Sequence, residues 1–121
     1  MTVNQFQKEF KKLVKPLVGT FSGDRLKDFE NIKKLTEPLE KYVRFEHWLI
    51  YPKKGNNPLF SFYMMDNPWA KGATPSLPKI EEIRIESAGF KDYEWYSPSM
   101  SLEKYILFVN DFWENKKTTK P

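Results

Sequence analysis

Apolar residues fall into a helical period first, an alternating period next and a helical period again. Val3, Phe6, Phe10, Leu13, Val14 and Leu17 recur at three- and four-residue steps, which predicts a helix over residues 2–18 with one apolar stripe. Thr2 with Gln5 fits a capping box. Pro16 removes a backbone donor and should end or kink the helix near Lys15, and Gly19 is a natural stop. A second helix is expected after Ser22 as its N-cap, burying Leu26, Phe29, Ile32 and Leu35. Thr36 and Pro38 restart a short helical piece carrying Leu39, Tyr42 and Val43.

The period then changes. Residues 43–51 (VRFEHWLIY) read as one strand that begins with alternation and ends in a continuous apolar run. Residues 52–58 are dense in turn formers, and 59–65 (LFSFYMM) form the partner strand of an antiparallel hairpin. A loop over 66–78 contains Pro68, Gly72, Pro75 and Pro78. Residues 80–86 make a third strand, with Ile83 and Ile85 opposite Arg84. After a turn at Ala88 and Gly89, residues 91–96 make a fourth. Ser99 or Ser101 caps a last helix over about 102–114, with Leu102, Tyr105, Ile106, Val109, Phe112 and Trp113 inward. Residues 115–121 form a polar tail expected to fray. The order α-α-β-β-β-β-α predicts one α+β domain over 1–121. It is a four-stranded, mainly antiparallel meander with two N-terminal helices and one C-terminal helix.

One asymmetry bears on function. The third and fourth strands alternate, but Trp48 to Tyr51 and Leu59 to Met65 are apolar on both faces. The second face of the 43–65 hairpin therefore needs a cover. The expected cover is the chain's own helices, the N-terminal pair on one side and the C-terminal helix on the other. The alternative is a protein partner or a second copy of the chain.

Composition narrows the chemistry. The 121 residues include no cysteine and one histidine, His47, so thiol nucleophiles, disulfides and sites needing two imidazoles are excluded. The chain contains no apolar run near the roughly 20 residues of a membrane span, and its first residues lack a leader-like apolar core, so a cytoplasmic protein is expected. Twenty residues are aromatic against three alanines, so a few large side chains carry most of the burial. The net charge of +4 comes almost wholly from lysine, with Arg25, Arg44 and Arg84 as the only arginines. Lysine lacks the flat donor fork that reads guanine and phosphate bidentately, so sequence-specific DNA reading is disfavoured. An AT-rich genome would produce the same bias.

No catalytic constellation stands out. On a strand, Glu46 and His47 point to opposite faces, so Glu46 cannot orient the imidazole. Glu81 with Glu82 diverge for the same reason. Asp24 and Asp28 suit a helix start on dipole grounds alone. No phosphate-loop, zinc or calcium pattern occurs, and no metal or cofactor is expected. A histidine-independent ribonuclease would have to use Arg44, Arg84, Tyr51 and Tyr63, which nothing in their spacing singles out.

Two surface candidates remain. Lys8, Lys11, Lys12 and Lys15 share the outer face of the first helix, and residues 1–20 hold four lysines against one acid. That face is either an ordinary solvated surface or a non-specific nucleic-acid contact. The 66–78 loop is long for an antiparallel link and carries Trp69 and Lys71. Its tryptophan either folds back onto the core, the commoner role, or stands out as an interface anchor. The sequence is thus read as a non-enzymatic protein-binding module: an inhibitor, immunity or accessory protein of the kind a phage or other mobile element carries. Its expected contacts are Trp69, Lys71, Trp48 and Tyr63.

Overall fold

The computed structural model describes residues 1–88, 97 and 99–118. Helix α1 (Val3–Val14) begins where its cap chemistry places it. Thr2 Oγ1 accepts the Gln5 N–H at 3.1 Å, and Gln5 Oε1 accepts the Thr2 N–H at 2.8 Å. Two donors that the first turn would leave orphaned are closed reciprocally. Val3, Phe6, Phe10 and Val14 are buried. At Lys15–Leu17 the chain tightens into a 3₁₀ turn around Pro16, as the missing donor requires.

Helix α2 (Arg25–Leu35) departs from its expected start and its expected face. The N-cap is Asp24, whose Oδ1 accepts the N–H groups of Leu26 at 3.0 Å and Lys27 at 3.3 Å. Ser22 lies outside the helix, buried, and donates its hydroxyl proton to Oδ2 of the buried Asp28. Asp28 and Ile32 point inward, Phe29 and Leu35 are half-buried, and Leu26 is exposed.

The run expected as one strand over 43–51 is two strands, β1 (Val43–Glu46) and β2 (Leu49–Pro52). His47 and Trp48 form the two-residue turn between them, at φ 50° and 64°. Positive φ at both positions is the mirror-image turn that matches strand twist, usually supplied by Asn-Gly. Here neither residue is glycine, so the turn carries strain that must be offset elsewhere. The Trp48 ring supplies packing against Phe29 and Phe62, with centroids 5.4 Å away in each case.

Among the described residues, strands β3 (Phe60–Asn67) and β4 (Lys79–Ser87) complete a four-stranded antiparallel sheet in the order β1-β2-β3-β4. The fold is α+β, in the order α-α-β-β-β-β-α. The fourth strand comes from the division of the first; the segment expected as a strand over 91–96 lies outside the described residues.

Helix α3 (Leu102–Thr118) runs past its expected end at 114. Ser101 Oγ accepts the Lys104 N–H at 3.1 Å at its start. All three helices meet the same face of the sheet. Phe6 of α1 stacks on Phe60 at 5.1 Å, Phe29 of α2 lies 6.0 Å from Phe62, and Tyr105 of α3 lies 5.2 Å from Phe60. Tyr105 also donates its hydroxyl proton to the Leu59 carbonyl at 2.6 Å, which satisfies a polar group inside the core. The expected division of helices between the two faces therefore does not occur.

Candidate protein-docking site

The opposite sheet face carries Arg44, Leu49, Tyr51, Ser61, Tyr63, Met65, Glu82, Arg84 and Glu86 by strand parity. Its aromatic and charged groups are largely matched within the sheet. The Arg44 guanidinium lies 4.8 Å from the Tyr51 ring centre and 3.4 Å from Glu46. Arg84 contacts Glu82 at 3.1 Å and donates to Tyr63 Oη at 3.4 Å, while Tyr63 donates to Glu86. These contacts hold the Arg84 guanidinium above its ordinary value, the Tyr63 bond first and Glu82 second. The structure thus does bring Arg44, Arg84, Tyr51 and Tyr63 to one face. Each arginine already has a carboxylate beside it, so an incoming phosphate would meet acids there.

The other side of the molecule differs. Arg25, Leu26, Phe29, Glu30 and Lys33 form one flank of α2 and face Phe45, Glu46, His47 and Trp48 across a groove of about 440 Å³. Phe29, Phe45 and Trp48 give it apolar walls. Leu26 stands at its rim 80% exposed. A leucine at core spacing is left out because the first turn of α2 is held by polar contacts. Asp24 caps it, Asp28 binds Ser22, and Arg25 Nη2 lies 2.5 Å from Asp66 Oδ2 on β3.

Asp66 leads directly to the loop. Asn67 Oδ1 accepts the Trp69 N–H at 2.9 Å, and Asn67 Nδ2 donates to Glu81 Oε1 at 2.7 Å. This Asx-type closure fixes the chain direction at Pro68. Trp69 then projects outward, 87% exposed. The rest of the loop is tied down. Thr74 and Leu77 exchange backbone hydrogen bonds at 2.9 and 3.0 Å, and Ser22 N–H donates to the Pro78 carbonyl at 2.7 Å. Gly72, at φ 83°, lies so close to Phe21 that an added Cβ would sit 3.2 Å from the ring.

Of the expected contact residues, Trp69 and Lys71 are exposed on the loop, and Trp48 lines the groove while packing on the core. Tyr63 lies on the opposite sheet face, away from both. Lys8, Lys11 and Lys12 are exposed along α1, and Lys15 is exposed in the 3₁₀ turn that follows it. His47, expected mid-strand, sits in the strained turn at the groove rim and has no hydrogen-bonded carboxylate among the described residues. Among the described residues no three metal-ligating side chains gather, and no helix is long and apolar enough to cross a membrane. Leu26, Arg25 and Asp66 escape sequence reasoning: Leu26 has core spacing, and the Arg25 contact with Asp66 joins distant segments. No protein family, curated protein or solved structure matches the chain.

Proposed function

We propose that the chain is a small, non-enzymatic protein-binding module that docks its partner through Trp69 and the α2 groove. The observation that carries this reading is the pair of large apolar side chains held outside the core, Trp69 at 87% and Leu26 at 80% exposure. Burying one tryptophan removes about 200 Å² from water, worth about 5 kcal/mol before the costs of association. An inhibitor, immunity or accessory role in the cytoplasm belongs to the same proposal, on the grounds of size and of a single histidine, His47, with no hydrogen-bonded carboxylate among the described residues.

The experiment is affinity capture from native lysate treated with RNase and DNase, with Trp69→Ala beside the natural chain. A partner retained by the natural chain should be lost by the variant, whose thermal midpoint stays unchanged. A partner held equally by both would end the assignment of Trp69. A second reading rests on the exposed Lys8, Lys11 and Lys12 of α1 with Lys15 just beyond it, which suit non-specific phosphate contact. It requires mobility-shift binding that falls steeply as salt rises.

A further inference from the structure

We infer that the outer face of α1 binds the phosphate backbone of a nucleic-acid duplex without reading its sequence. This rests on the second reading above, phosphate contact by the α1 lysines, and names its partner. The exposed residues of α1 are Asn4, Gln5, Lys8, Lys11 and Lys12, and Lys15 continues the row in the 3₁₀ turn. The one acid of this helix, Glu9, is half-buried. None of these lysines has an ion pair among the described residues. The other helices differ. Helix α2 exposes Glu30 between Lys27 and Lys34, and α3 exposes Glu103 and Asp111 with Lys104. Among the described residues, α1 is the helix that turns charge of a single sign to solvent.

That face is kept against a cost. Lys8 and Lys15 each lie three and four residues from Lys11 and Lys12, and like charges at that spacing weaken a helix. The helix dipole favours Lys11 and Lys12 in the last turn, but its reach ends there and Lys8 gains nothing from it. A row of phosphates would relieve the repulsion. What the face lacks selects the kind of polyanion. It exposes no aromatic ring on which the bases of a single strand could stack. It has no arginine to fork onto guanine. Val3, Phe6, Phe10 and Val14 are buried, so α1 keeps no apolar edge to enter a bilayer. A straight row of lysines about 10 Å long remains, carried on a rigid rod. A duplex presents one phosphate about every 1.7 Å of its axis, so each flexible lysine stem reaches one.

The test is fluorescence anisotropy of labelled DNA of about 20 base pairs, titrated with the chain between about 50 and 200 mM salt. The probes are duplexes of two unrelated sequences and a single strand from one of them. The natural chain should bind both duplexes equally and the single strand more weakly. Its affinity for duplex should fall about 150-fold over that range, a log–log slope of about −3.6. Lys11→Gln with Lys15→Gln should halve the slope and cost about tenfold at the lower salt. Lys53→Gln with Lys54→Gln removes the same charge from an exposed turn and should cost less than about twofold. All four positions are exposed and glutamine is a good helix former, so unchanged thermal midpoints will certify folding. Equal losses from the two double variants would overturn the inference, because net charge and not this face would then bind. A single strand held as tightly as the duplex would also overturn it and leave phosphate contact standing. So would a chain that, at about 1 mM and the lower salt, binds no duplex but is retained by vesicles containing phosphatidylserine. A chain that binds neither duplex, single strand nor vesicle ends both the inference and the reading beneath it.

Discussion

Helices α1 and α2 have nearly equal lengths, 12 and 11 residues, and similar apolar spacing, yet they bury different things. Helix α1 lies across the sheet and buries the stripe its sequence announces: Phe6 meets Phe60, and Phe10 meets Phe45 and Phe62. Helix α2 inserts Ile32 and a carboxylate, Asp28, and leaves Leu26 in solvent. The difference teaches that apolar spacing identifies the side chains able to enter a core. How far a helix overlaps its sheet decides which of them do. The turn left outside became one flank of the candidate docking surface.

Stability measurements can break this comparison. The largest effect belongs to α1. Phe10→Ala empties a fully enclosed site beside Phe45 and Phe62 and should cost about 4 kcal/mol in urea unfolding. A loss below about 1 kcal/mol would mean that the α1 contact with the sheet is loose.

The polar contact of α2 comes next. Asp28→Ala leaves the buried Ser22 hydroxyl without its acceptor and should cost about 2 kcal/mol. Asp28→Asn keeps an acceptor oxygen and should recover part of that. Equal losses from both would show that the charge, and not the hydrogen bond, holds the first turn.

The smallest effect should come from the most apolar change in α2. Leu26→Ala should shift stability by no more than about 0.5 kcal/mol, because almost nothing packs on it. A loss near that of Phe10→Ala would place Leu26 in the core and remove the contrast altogether.

Much of the fold was legible, for local reasons. The capping box of Thr2 and Gln5 and the break at Pro16 are each read within a few residues and each is seen, and of the two serines that could cap the last helix, Ser99 and Ser101, it is Ser101 that does. The loop and its tryptophan were legible as a candidate because of length and composition. The turn at His47 and Trp48 was not. It lacks the Asn-Gly signature, and its strain is offset by Phe29 and Phe62, residues distant in sequence. Ser22 was misplaced as a cap because two neighbouring polar residues can both start a helix. Asp24 took that role while the buried Asp28 drew Ser22 inward.

By itself, the sequence determined the α+β order, the absence of cysteine chemistry and the stripe of α1, because periodicity, composition and caps act locally. Tertiary structure alone decided that all three helices share one sheet face, that Leu26 stays exposed and that Tyr63 faces away from Trp69. Those outcomes depend on which surfaces compete for the same limited apolar area, a competition that no single segment of the chain encodes.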